Sequence, residues 1–189
     1  GAEKFYSKEF KSFIEWDIPL LEGYKYIFFK NFVSKNVKGT FSRINFGMFT
    51  HILKNDYDVV LIHGYDTVSS WMVFIAAKLS NTKIIWRGEA AIRPQNRQNY
   101  LKKFVKTKLL PLYFKSCDAV MYSCTGNNEY LKQFNISDDK MFLIPCSVDN
   151  KFFRLKKDEY TPQREELRNK FNISKDDFVI LFTARFTTR

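Results

Sequence analysis

Two short stretches of this 189-residue chain combine side chains that could do chemistry. Arg87-Gly88-Glu89 sets a guanidinium and a carboxylate on either side of a glycine, directly after the apolar run Lys83 to Trp86. His63-Gly64-Tyr65 follows another apolar run, Val59 to Ile62, and leads into a segment of helical period. A carboxylate can orient a hydroxyl or take its proton, a guanidinium neutralises an anion, and a helix N-terminus attracts one. Ser123 and Thr125, after a third run, add hydroxyls able to hydrogen-bond a sugar. Each has a plainer role beside this one. Arg87 and Glu89 suit a mutual salt bridge that fixes the loop, His63 a structural histidine, and Ser123 and Thr125 caps for a helix near Asn127. His51, on a predicted helix with no evident partner, reads as structural.

The elements that must position these residues follow from hydrophobic period. Between the first two runs, Val68, Trp71, Met72, Ile75, Ala76 and Leu79 mark one face of a 3.6-residue repeat, with Asp66 placed to cap it. Asp58 to Glu89 is therefore a βαβ unit. Its strands must run parallel through a right-handed crossover, so the loops 63–66 and 87–91 emerge at the same edge of the sheet. In open parallel sheets ligands bind at that edge. Gly88 would let the backbone turn there, where a side chain would clash.

The pattern then repeats, with strands predicted over Asp118 to Tyr122 and Met141 to Ile144 and a helix over Asn127 to Phe134. A long helix is expected from Arg97 to Lys115, with Leu101, Phe104, Val105, Leu109 and Leu112 as its apolar stripe. Asn99, Lys102, Lys103 and Lys106 lie opposite, and Pro111 should kink or end the helix. Upstream, Tyr24 to Phe29 reads as a short strand, residues 31–40 as a loop and Phe41 to Lys54 as a helix. Downstream, Phe153 to Tyr160 is charged and linker-like. A short helix follows, capped by Thr161 with Pro162 at its first position. FNIS at Phe134 to Ser137 and again at Phe171 to Ser174 marks two similar helix-to-strand junctions. Phe178 to Phe182 reads as a buried strand.

Composition narrows the partners. A hydrophobic fraction of 45% supports a real core, and a formal charge of +11 favours an anionic partner: nucleic acid, an anionic membrane surface or a phosphorylated small molecule. No helix-turn-helix, RNP-like or zinc pattern supports nucleic acid. Cys117, Cys124 and Cys146 show no CxxC and no histidine at metal spacing, so they read as reduced core or loop residues of a cytosolic chain. The sequons at Asn135 and Asn172 are then idle. No run reaches the roughly 18 apolar residues of a membrane span, and residues 1–4 are no signal peptide.

Four stretches together resemble the acceptor-side domain of the family-four retaining glycosyltransferases, which have the two-domain GT-B architecture. Trp16 to Tyr24 is similar to a segment of lipopolysaccharide- and capsule-type members. Arg87-Gly88-Glu89 sits where such members carry an RGE-type loop. Cys117 to Val120, continuing through Pro145 to Phe153, is similar to the passage that closes the first domain. Phe178 to Arg189 looks like the first strand and turn of the donor domain.

The resemblance implies an α/β fold, a Rossmann-like, mostly parallel sheet flanked by helices, as one half of a GT-B fold. It implies residues 1–153 as the acceptor-side domain, 154–176 as linker and short helix, and 177–189 as the start of a donor-binding domain. It further implies retaining transfer from a nucleotide sugar to a glycan or lipid-linked acceptor in surface polysaccharide synthesis, without metal or other cofactor. Glu89 and Arg87 would be catalytic, Glu89 orienting the acceptor hydroxyl and Arg87 meeting a phosphate. His63, Gly64, Tyr65, Gly88, Ser123 and Thr125 would bind acceptor, and Arg185 the donor diphosphate. Family members often carry a histidine where Arg87 stands, so that role does not transfer. The family's opening strand and glycine-rich turn, and its later Glu-x7-Glu motif, are not in the sequence, so this piece alone is expected to be inactive. The expected setting is cytoplasmic, peripheral on the inner membrane face through the basic helix 97–115. Two alternatives stay open: another GT-B enzyme such as a nucleotide-sugar epimerase, or a non-catalytic basic α/β module for anionic lipid or nucleic acid.

Overall fold

A computed structural model describes all residues except 1–3, 8–11, 16–18, 35, 91, 93–99, 101–103 and 183–189. The chain divides into two compact units, residues 28–147 and residues 1–27 with 148–189. In the latter, β1 (Phe5–Ser7) and β2 (Ser12–Ile14) form an antiparallel hairpin, with Tyr6 packed edge-on against Phe13.

The unit 28–147 is α/β and Rossmann-like. Four strands, β3 (Val59–His63), β4 (Lys83–Arg87), β5 (Ala119–Tyr122) and β6 (Met141–Leu143), form an all-parallel sheet whose order in space is their order in sequence. Register places Ile62 beside Trp86, Trp86 beside Val120 and Val120 beside Met141. That row faces the core. Right-handed crossovers that all step in one direction set every connecting helix on the same face. Accordingly Val73 and Ala77 of α2 (Val68–Leu79), Leu110, Tyr113 and Phe114 of α3 (Leu110–Lys115), and Tyr130 and Leu131 of α4 (Thr125–Lys132) join one core with Ile62, Ile84, Trp86 and Val120. α1 (Phe46–Lys54) packs on α2 and brings Met48 and Ile52 to that core. The alternate residues of β3, Val59 and Leu61, are 47% and 54% exposed.

Aromatic rings fill the centre. Trp86 is fully buried, stacked on Tyr65 at 6.0 Å and edge-on to Phe114 at 4.8 Å, while Phe74 stacks on Tyr113 at 4.2 Å. At the opposite sheet edge from the loops, Asp118 accepts the Ile84 amide at 2.9 Å and pairs with Lys83 at 3.0 Å. These bonds fix where β4 begins beside β5.

Several local expectations are corrected. The cap of α2 is Thr67, whose hydroxyl accepts from Ser70 N at 3.3 Å, and not Asp66. Residues 24–29 form no strand; the Asn45 amide holds the carbonyls of Phe29 and Lys30, and the chain is exposed there. The helix expected from Phe41 is a short 3-10 turn, Gly39–Ser42, followed by α1. Pro111 does not end its helix. A π turn over Val105–Leu109 precedes it, with Leu110 N–H donating to Val105 O, which widens the helix before the proline ring arrives. The extra residue rotates the faces by about 100°. Leu110, Tyr113 and Phe114 are consequently buried, while Phe104, Leu109 and Leu112 of the expected stripe are exposed. Asn99, Leu101, Lys102 and Lys103 lie outside the described residues.

In the other unit, the charged stretch expected to be a linker is α5 (Asn150–Tyr160), capped by Asp149 accepting from Phe152 N at 2.8 Å. Thr161 does not cap the helix that follows but closes α5, its backbone N–H and its hydroxyl both donating to Lys157 O, and a 3-10 turn, Thr161–Gln163, leads into α6 (Arg164–Lys170). Phe178 to Phe182 forms no strand and is not buried, with Phe178 90% exposed. The two FNIS stretches match as helix ends, although among the described residues a strand follows only the first. Asn135 and Asn172 both take positive φ, 52° and 54°, the left-handed turn that ends a helix. Phe134 is buried and Phe171 exposed, so the shared turn is local chemistry rather than shared packing.

Candidate functional site

The carboxyl ends of the four strands carry the loops that the sequence singles out. His63 and Arg87 are register partners, and the ladder continues one step further, with Gly64 N donating to Arg87 O at 2.8 Å. Gly64 sits at φ +75° with Asp66 Oδ1 3.0 Å from where a Cβ would stand. The chain can turn there only because the side chain is absent.

Gly88 stands, as expected, where a side chain would clash. Its backbone is not in the left-handed region; instead a Cβ would lie 2.4 Å from Trp86 Cη2 and Cζ2. The buried indole leaves room for backbone alone, so the loop crosses directly over the core. Arg87 Nη2 lies 3.6 Å from Glu89 Oε1, and the arginine side chain is 23% exposed.

Two residues that sequence reading missed complete the edge. Asn127 is buried; its Oδ1 accepts from Ser123 N at 3.1 Å and its Nδ2 donates to Ala90 O at 2.7 Å, strapping the loop after β4 to the loop after β5. Cys146, in the loop after β6, has its Sγ 3.7 Å from Arg87 Nη2 and 3.5 Å from Glu89 Oε1. No local spacing signals their contacts with Ala90, Glu89 and Arg87, which lie 37, 57 and 59 residues away in sequence.

His63 is exposed at the tip of β3. Tyr65 turns inward, stacks on Trp86 and shares a 2.5 Å hydrogen bond with the Tyr130 hydroxyl. Burial raises the pKa of both phenols. Ser123 is half-buried and Thr125 is exposed at the first residue of α4; neither side chain caps that helix, whose N-cap is Cys124. Arg185 lies outside the described residues. His51 bonds Tyr57 and Asn55, in keeping with a structural role. Among the described residues no three metal-ligating side chains converge. A shallow cleft of about 410 Å³ lies in the other unit, between α5 and α6, lined by Tyr160, Leu167, Phe171 and Ile173 with Lys157 and Arg164 at its rim. Its lining holds no carboxylate.

Comparison with protein-family models, curated proteins and solved structures gives no match.

Proposed function

We propose that this chain carries the acceptor half of a retaining sugar transferase that uses a nucleotide-sugar donor. The observation that carries the reading is the Arg87-Gly88-Glu89 loop: a cation and a carboxylate 3.6 Å apart, at the carboxyl edge of a parallel sheet, beside His63. Sugar transfer needs an acceptor hydroxyl held in line and a diphosphate leaving group neutralised. Glu89, exposed, orients the hydroxyl; Arg87 meets a phosphate; Ser123 and Thr125 offer hydrogen bonds to the glycan. The donor diphosphate falls to Arg185. The acceptor is a glycan or lipid-linked glycan, and the product belongs to a surface polysaccharide.

The test is transfer from radiolabelled nucleotide sugars to glycan and lipid-linked acceptors by the full-length protein. Glu89→Gln should lower the turnover by about a hundredfold or more, the usual scale for losing a positioned acid–base group. Unchanged turnover in Glu89→Gln would remove the loop from the chemistry.

A second reading concerns the site's surroundings. Phe104, Lys108, Leu112 and Lys115 follow one another about a turn apart, and all four are exposed, Leu112 by 65%. Apolar and cationic side chains alternating along one line suit an anionic membrane surface. Cosedimentation with vesicles should be stronger for anionic than for zwitterionic lipid, and Leu112→Glu should abolish the difference. Equal binding to both lipids would exclude this surface. Among the described residues no helix is long and apolar enough to cross a membrane.

A further inference from the structure

Cys146 draws together two loops that β5 separates, and the lengths of its contacts say what for. Arg87 Nη2 to Cys146 Sγ is 3.7 Å, Sγ to Glu89 Oε1 is 3.5 Å, and Nη2 to the same carboxylate oxygen is 3.6 Å. The three groups form a triangle of loose contacts. A guanidinium committed to a carboxylate holds it at about 2.7–2.9 Å, commonly through two nitrogens. Here one nitrogen makes both contacts, and the rest of the fork has no protein partner among the described residues. The side chain is nonetheless more than three-quarters covered. A planar cation that is held in place, sheltered and left with free donors is arranged to take a phosphoryl group through two N–H bonds.

We infer that Arg87, Glu89 and Cys146 form a phosphoryl-recognising site, in which the Cys146 thiol donates to the carboxylate oxygen that Arg87 faces and so shares Glu89 with it. A phosphoryl group seated on the guanidinium then covers the sulfur. This rests on the reading of the Arg87-Gly88-Glu89 loop as the place where substrate binds, and it makes Cys146 a positioning residue there. The same chemistry would serve a phosphate on the acceptor or the diphosphate of the donor.

Alkylation by iodoacetamide, followed cysteine by cysteine through peptide mass spectrometry at constant ionic strength, tests it on the intact protein. Cys124 is exposed and serves as reference; Cys117 is buried, its thiol pushed up to about 12 by that burial, and reports any unfolding. Glycerol phosphate stands for the acceptor and uridine diphosphate for the donor. One of them should slow alkylation of Cys146 saturably, about tenfold at ten times its Kd, and leave Cys124 unchanged. Arg87→Gln should abolish the protection while Cys146 still reacts. Protection by the monoester places an acceptor phosphate at Arg87, and protection by the diphosphate alone places the donor there. The inference is overturned if neither ligand slows Cys146 more than Cys124, or if protection survives Arg87→Gln. Protection without sugar transfer would sink the transferase reading and leave the phosphoryl site standing; transfer without protection would do the reverse.

Discussion

At Gly88 a single missing methyl group sets the course of the loop. Because the obstacle is the far edge of an indole ring, the cost of adding a Cβ should depend on Trp86. Gly88→Ala is expected to destabilise the protein by about 1–3 kcal/mol, the range for overpacking a well-filled core. In a Trp86→Phe background, where Cη2 and Cζ2 are gone, the same change should cost less. Denaturant unfolding of the four variants measures the coupling directly, and strict additivity would show that the two positions do not touch. Asn127 invites a related test. Asn127→Ala leaves the Ala90 carbonyl and the Ser123 amide without their partner, a loss of about 1–3 kcal/mol by unfolding. Faster hydrogen exchange at Ser123 should accompany it.

Asp118 carries a pH signature. The Ile84 amide above all holds its carboxyl below the usual carboxylate range; burial, the next largest effect, opposes it, and Lys83 and Lys78 add to the lowering. A folded-state value below the unfolded one adds stability above the unfolded pKa of about 4, and that stability is lost as pH falls through the folded value. The side chain is 35% exposed, so screening holds the effect to about 1 kcal/mol. Asp118→Asn should therefore lower stability at neutral pH, and its deficit should shrink in unfolding curves recorded below about pH 4. Thus the acid dependence belongs to the start of β4, away from the loops.

Among elements, legibility followed the range of the forces involved. The βαβ unit Asp58 to Glu89 could be read because each strand is a short apolar run and α2 keeps one period throughout. The helix ending at Lys115 could not, because a π turn shifts the period midway and no composition announces one. Its true inner face predicts a sharp contrast: Phe114→Ala should cost about 3–5 kcal/mol and Leu112→Ala less than about 0.5. Similar losses at the two positions would restore the unshifted stripe. α5 was missed because its apolar residues Phe152, Phe153 and Leu155 stay exposed, so charge dominates its sequence. The site was half legible for the same reason. Arg87 and Glu89 are neighbours in sequence; Cys146 and Asn127 reach them only through the fold.

For the molecule as a whole, the sheet's strand order has a consequence in time. Each of β4, β5 and β6 pairs with the strand that precedes it in the chain, so none must wait for a later one. Every pairing closes through one helical crossover, and the longest wait is the passage from Arg87 to Ala119. Synthesis from the N-terminus can thus lay each strand against an edge that is already in place. Cys146, in the loop that follows the last strand, would arrive at Arg87 and Glu89 only when that edge is complete. Assembly of the triangle is then a report that the sheet has closed in register.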